Sequence, residues 1–222
     1  MRIVFLGTSE FALGVLRRLA DSPHAPSLVV TRPDRPRGRG RRTSPPPVAG
    51  GARELALPLL QPERVNEADA VDAIERAEPD AIVVCAFGAI IREPLLSLRE
   101  MLNVHPSLLP RWRGAAPIER ALAAGDAQTG VCVMRLTAGL DAGPVCLSER
   151  EPISEQDDCG SLAARLCELG GELIVRASVV VVGAGVSGLA AAWELSGGVD
   201  GPNDHTALLA RISVDSAAES KS

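Results

Sequence analysis

The sequence predicts an α/β fold, a mostly parallel sheet with helices on both faces, and three observations carry that expectation. Arg2 to Leu6 is a short apolar run that breaks at Gly7-Thr8-Ser9 and passes into a helix, Glu10 to Asp21, with apolar positions at Phe11, Leu13, Leu16 and Leu19. Ala81 to Cys85 is a β-branched apolar run with the pattern of a strand buried in a parallel sheet. Met101 to His105 is a further strand, and polar residues gather at its carboxyl end, the edge at which open α/β sheets bind ligands.

The other elements follow in order. Ser27 to Val30 continues as a second strand, and Arg32 to Pro47 is a long loop rich in proline and glycine. Helical patterns at Val48 to Leu55 and Asn66 to Ala77 bracket a short strand near Leu59-Leu60. A helix around Pro94 to Leu98 leads into Met101, and Pro117 opens a helix to Ala124, as an N1 proline whose missing N–H costs nothing. Gly130 to Leu136 and Val145 to Ile153 alternate as strands, and Asp157-Asp158 precede a helix from Ser161 to Arg176.

The tail then changes character. Ser178 to Val182 is expected to be a new strand, followed by Gly183-Ala184-Gly185-Val186-Ser187-Gly188 and a helix through Leu195. Strand, G-x-G-x-x-G and helix is the pattern that wraps a pyrophosphate around a helix N-terminus. The unit also needs a second parallel strand ending in an acidic residue, and none follows. Gly197 to Asp204 is polar, Leu208 to Val214 is a weak strand candidate and Ser216 to Ser222 has a disordered composition.

With 222 residues and 46% hydrophobic content, the chain suits one sizeable domain, or a domain plus a fragment. A net charge of -5 argues against a general nucleic-acid coat but permits a local basic patch. Cys85, Cys132, Cys146, Cys159 and Cys167 are odd in number and lack any CxxC pair, so neither a disulfide framework nor a metal site is expected. The apolar run Ile3 to Leu6 is too short for a signal-peptide core, and no later stretch approaches membrane-spanning length. A cytoplasmic protein with no membrane association is the expectation.

Chemistry gathers in Asn103-Val104-His105-Pro106-Ser107-Leu108-Leu109-Pro110-Arg111-Trp112-Arg113-Gly114, followed by Gly139-Leu140-Asp141-Ala142-Gly143. Asn103 and His105 are two apart on a strand and therefore share a face, while Val104 packs the other way. An amide N–H and an imidazole N–H aimed at one point stabilise the charge that develops when a nucleophile adds to a carbonyl. Asp141 would orient the imidazole or accept a proton from an attacking amine. No serine or cysteine pairs obviously with His105, so direct acyl transfer to an external nucleophile fits better than a covalent enzyme intermediate. Trp112, between Arg111 and Arg113, reads as loop packing in preference to a base-stacking platform.

These residues closely resemble the methionyl-tRNA formyltransferase family. The likeness is carried by Asn103 to Ile118, by Gly139-Leu140-Asp141, by Phe5-Leu6-Gly7-Thr8-Ser9-Glu10-Phe11-Ala12 and by the arginine-rich stretch Arg32 to Arg42. It covers residues 1–176, which would form the catalytic domain with a Rossmann-like sheet. The resemblance implies Asn103, His105 and Asp141 as catalytic residues and 10-formyltetrahydrofolate as formyl donor. It implies a folate-contacting segment Ser107, Leu108, Leu109 and Pro110, and a pteridine pocket wall at Phe87, Gly88 and Ile90. The acceptor it implies is the α-amino group of methionyl initiator tRNA, entered at its acceptor end by a loop carrying Arg35, Arg37, Arg39, Arg41 and Arg42. A monomer is expected. Phe87 stands where the family usually has tyrosine, and Ser9 where it usually has proline.

Past Arg176 the pattern of that family, which continues through a linker into a tRNA-gripping β-barrel, is left behind. Residues 177–222 resemble the start of a flavoprotein of the protoporphyrinogen oxidase or amine oxidase type, although functional FAD binding is not expected without the acidic strand end. Loss of the barrel predicts weakened tRNA affinity. The competing expectation is a non-catalytic folate-binding or flavoprotein fragment left by a gene fusion or an assembly artefact.

Overall fold

The computed structural model describes residues 1–37 and 42–195, with side chains for 1–36 and 43–178. The chain opens with β1 (Ile3–Gly7), α1 (Glu10–Ala20) and β2 (Pro26–Val30). A hairpin of β3 (Arg35–Arg37) and β4 (Arg42–Ser44) leads to α2 (Pro47–Glu54), β5 (Leu59–Leu60), α3 (Ala68–Arg76) and β6 (Ala81–Cys85). A 3-10 turn at Leu95–Ser97 precedes β7 (Met101–His105), α4 (Pro117–Ala123), β8 (Gln128–Arg135), β9 (Val145–Pro152) and α5 (Cys159–Leu195).

Seven strands form one sheet in the order β5-β2-β1-β6-β7-β8-β9. β1 pairs in parallel with β2 and β6, β2 with β5, and β6 with β7, whereas β8 and β9 run antiparallel. The mostly parallel α/β sheet expected from sequence is therefore the fold. Strand order reverses between β1 and β6, which places a crevice at their carboxyl ends.

The period of two along each strand divides the core into two layers. Ile3 and Phe5 of β1, Val83 and Cys85 of β6, and Leu102 and Val104 of β7 pack with Leu13 and Leu16 of α1, Val48 of α2 and Leu166 of α5. Val4, Leu6, Ile82, Val84 and Met101 turn to the other face and pack with Val71 and Ile74 of α3 and with Leu95. Each central strand is thus buried on both sides, which explains the unbroken apolar runs.

The first turn shows why its sequence is restricted. A Cβ on Gly7 would lie 2.6 Å from Phe5 Cε1, 2.9 Å from Ala12 Cβ and 3.1 Å from the Cys85 carbonyl oxygen, so strand, helix and β6 can meet only over a glycine. Ser9 caps α1, its Oγ accepting from the Ala12 N–H at 3.2 Å, while Glu10 occupies the first turn and Arg17 and Arg18 the last.

Two expectations change. The stretch Arg32 to Pro47 is not wholly loop: β3 and β4 pair antiparallel, with Arg35 opposite Ser44, Pro36 opposite Thr43 and Arg37 opposite Arg42. The strand expected at Ser178 to Val182 is instead part of α5, which continues from Cys159 through Leu195 over 37 residues. An apolar run does not distinguish strand from helix by itself. With no strand beside it among the described residues, the segment satisfies its backbone groups internally as a helix. Gly183, Gly185 and Gly188 consequently lie in helical backbone, and the phosphate-cradling turn of the flavoprotein-like reading is not formed. The expectations for Gly197 to Asp204, Leu208 to Val214 and Ser216 to Ser222 fall outside the described residues, as do Arg39 and Arg41.

Candidate active site

β7 carries Asn103 and His105 on the face opposite Leu102 and Val104, so the side chains the core does not need are the ones presented at the strand's end. Both are buried, at 8% and 5% exposure. Asp141 arrives from the turn between β8 and β9, is 9% exposed and has a left-handed backbone, φ 43°. Few non-glycine residues adopt that conformation, though aspartate is among the better tolerated.

The three side chains meet. Asn103 Nδ2 donates to Asp141 Oδ1 at 3.4 Å, and His105 Nδ1 stands 3.6 Å from Asp141 Oδ2, an ion-pair distance longer than a hydrogen bond. The same Oδ2 accepts the Gly114 N–H at 2.7 Å. On the far side of the imidazole, Nε2 lies 3.1 Å from the Trp112 carbonyl oxygen. A carbonyl only accepts, so Nε2 carries the hydrogen and Nδ1 is the ring nitrogen open toward Asp141.

The loop after β7 is tied at successive backbone groups. The Ser107 hydroxyl donates to the Arg111 carbonyl at 2.7 Å, His105 to that of Trp112, and Arg120 Nη1 to that of Arg113 at 2.9 Å. Trp112, Gly114 and Ala116 all have positive φ, at 61°, 84° and 54°. These turns bring the Gly114 N–H onto Asp141 and start α4 at Pro117. The indole is packed rather than free for a base: Nε1 donates to Asp126 at 2.7 Å, and the Arg111 and Arg120 guanidiniums stand 4.4 and 4.8 Å from the ring centroid.

Of the segment read as folate-contacting, Ser107 and Leu109 are buried, Leu108 half-buried and Pro110 exposed. Leu109 packs on Cys132 and Met134 of β8, and Leu108 abuts Gly130. The segment therefore lies along β8, with a groove of about 350 Å³ between Leu108, Arg111, Trp112, Asp126 and Thr129. Asn103, His105 and Asp141 do not line that groove. Phe87 is 4% exposed within the second core layer, while Ile90 is 68% exposed. At the crevice between β1 and β6 the Thr8 hydroxyl donates to the Phe87 carbonyl at 2.7 Å, and Arg32 Nη1 bonds the carbonyl of Gly88, whose φ is 75°.

Cys132 is the cross-strand partner of His105. Burial pushes its thiol up to about 12, and its Sγ is engaged by the Leu109 N–H at 3.4 Å. It is therefore no thiolate nucleophile. Among the described residues no cluster of His, Cys, Asp and Glu could hold a metal ion, and no helix is long and apolar enough to cross a membrane.

Of the arginines on the hairpin, Arg35 pairs with Glu63, and Arg37 and Arg42 are opposite one another in register. The backbone partners of the site, the Trp112 carbonyl and the Gly114 N–H, carry no side-chain signature from which sequence could have found them. Gly114 beside Arg113 signals a turn and nothing more.

A family model described as formyl transferase matches residues 1–178. The chain belongs to the formyl transferase family. Among its relatives in this family, a methionyl-tRNA formyltransferase of Pseudomonas fluorescens strain Pf-5 is 49% identical over 179 residues, covering 80% of this chain and 56% of that protein. One from Pseudomonas paraeruginosa strain PA7 is also 49% identical over 179 residues, covering 80% and 58%. The chain thus spans somewhat more than half the length of the curated relatives it matches. Among solved formyl transferases, the phosphoribosylglycinamide formyltransferase of Streptococcus pneumoniae TIGR4 superposes with TM-score 0.66 at 23% identity, over 80% of this chain and 98% of that one. That of Bacillus halodurans gives 0.64 at 20% identity, over 79% and 92%. At those identities the likeness is one of fold.

Proposed function

We propose that residues 1–176 form a catalytic domain that transfers a formyl group from 10-formyltetrahydrofolate to the α-amino group of methionyl initiator tRNA. The observation that carries this reading is the convergence of the buried Asn103 amide and His105 imidazole on the buried Asp141 carboxylate, at 3.4 and 3.6 Å, at the carboxyl end of β7. The identity with methionyl-tRNA formyltransferases supports the choice of substrates.

The donor set fits an activated amide and needs no further group. When bound, 10-formyltetrahydrofolate supplies a formyl carbon whose leaving group is an aryl amine. One N–H of the Asn103 amide is engaged by Asp141, and the second is free for the oxygen that becomes an anion as the amine adds. His105, held through Nε2, presents Nδ1 to the same space and supplies a second donor once that nitrogen is protonated. Asp141 accepts the proton shed by the attacking nitrogen as the new N–C bond forms, and returns it as the old C–N bond breaks. Asp141 ends as the carboxylate it began as, with no covalent enzyme intermediate, consistent with the high thiol pKa of Cys132.

Arg35, Arg37, Arg39, Arg41 and Arg42 contact the tRNA backbone in this reading. The concentration of arginine in this stretch, with β3 and β4 paired in backbone register, supports a polyanionic partner. Ser107 to Pro110, Phe87, Gly88 and Ile90 border the folate. The test is formyl transfer from 10-formyltetrahydrofolate to methionyl-tRNA by the purified chain, with folate binding followed in parallel. Formylmethionyl-tRNA should accumulate; folate binding without transfer at any tRNA concentration would leave a binding module and refute the enzyme.

A further inference from the structure

Hydrogen bonds converge on a carboxylate that stands outside the Asn103, His105 and Asp141 group. Asp126 accepts from Arg111 Nε at 2.8 Å, Arg111 Nη2 at 2.5 Å and Trp112 Nε1 at 2.7 Å. Its place is set by the end of α4. Gly125 is left-handed with φ 67°, its N–H bonds the Leu122 carbonyl, and the Asp126 N–H bonds the Ala121 carbonyl. That is a Schellman ending, which leaves the next residue little freedom.

Trp112 is the residue this carboxylate holds. Its φ of 61° lies in the region that bulky L-residues avoid, so the conformation persists only while contacts impose it. The Asp126 bond to Nε1 fixes the indole from one edge, and Arg111 and Arg120 lie over the ring. In this conformation the Trp112 carbonyl meets His105 Nε2 at 3.1 Å. The other ties on the loop, from Ser107, Arg120 and Asp141, fix the Arg111 carbonyl, the Arg113 carbonyl and the Gly114 N–H. None of them reaches the Trp112 carbonyl itself.

We propose that Asp126 is a positioning residue for His105: by anchoring the Trp112 indole it holds the Trp112 carbonyl on Nε2, which selects the imidazole tautomer and turns Nδ1 toward Asp141. The effect on turnover rests on the formyl-transfer reading above; the orientation of the ring does not.

The 222-residue chain labelled with 15N-histidine contains three imidazoles, and His105→Gln assigns the signal of interest. With the ring neutral, the wild type should show His105 with a protonated Nε2 and a bare Nδ1, two well-separated nitrogen signals. In Asp126→Ala and in Trp112→Phe these signals should move toward the average of the two tautomers. In both variants kcat for formyl transfer should fall about 10- to 100-fold while KM for the folate changes by less than about twofold, as expected of a misdirected group near the reacting atoms. Arg165→Ala, which breaks an ion pair with Glu151 and Asp157 remote from this loop, is the control for loss of stability alone and should leave the His105 signals in place. Unchanged His105 signals in a folded variant would overturn the proposal. Should Asp126→Ala fail to fold, Trp112→Phe retains the Arg111–Asp126 pair and decides the matter. A wild type without formyl transfer would refute the reaction assigned to the site, and the nitrogen signals would still decide this inference.

Discussion

Asp141→Asn separates charge from shape at the centre of the site. Asparagine is nearly isosteric with aspartate, and an Oδ1 turned toward Gly114 still accepts the N–H now held at 2.7 Å. Its amide nitrogen then faces the Asn103 Nδ2 that now donates across 3.4 Å, so one long hydrogen bond becomes a donor-donor contact. A single weak buried bond lost in this way should cost about 1–2 kcal/mol of stability, which lowers the melting temperature by a few degrees. The effect on chemistry should be larger. Removing a positioned general base costs on the order of 10²–10⁴ in rate, or about 3–5 kcal/mol of barrier. The assay is single-turnover formyl transfer to methionyl-tRNA at saturating folate, with thermal melting and folate affinity measured on the same preparation. The rate should fall by at least about 100-fold while folate affinity stays within a few-fold. A folded Asp141→Asn protein within about tenfold of wild-type rate would show that the proton leaves by another route and refute the role given to Asp141.

Three further outcomes follow from the same structure. Replacing Arg37 and Arg42 together with alanine should raise KM for tRNA and reduce the slope of log affinity against log salt by about 1–2, with folate affinity unchanged; an unaltered salt slope would remove the hairpin from the tRNA interface. Ser9→Ala deletes the cap on Ala12 and should cost about 1 kcal/mol, measured by urea unfolding. Asp157 is held well below the usual carboxylate range, first by its bonds from Arg165 and then by the Ser154 N–H and the Ser161 hydroxyl. Its contribution is therefore present above the ordinary carboxylate pKa of about 3.9 and is lost as pH falls below it. Asp157→Asn should accordingly narrow the gap in stability between neutral and strongly acidic solution, and an unchanged pH profile of unfolding would count against it.

How far the sequence reached is clearest at particular elements. Ala81 to Cys85 and Met101 to His105 were readable as strands because each is a short, bounded run with β-branched or alternating character. The shared face of Asn103 and His105 followed from the two-residue period of a strand. The hairpin at β3 and β4 was not readable. It contains arginine, proline and glycine in place of an alternating apolar pattern, and its order comes from backbone pairing. The apolar run after Arg176 has the pattern of a strand and is helical. Its composition suits either state, and a strand needs an edge to pair with.

The sequence by itself determined the parallel α/β architecture and the face on which Asn103 and His105 lie. These depend on side-chain type and on local period, both written in the residue order. Only the tertiary structure decided which atoms hold those side chains: the Trp112 carbonyl on Nε2, the Gly114 N–H on Asp141, and Asp126 behind Trp112. Backbone donors and acceptors are the same for nearly every residue, so their use is set by how the chain folds back on itself. For that reason the identity of the side chains at the strand end is legible in the chain, and the contacts that orient them are not.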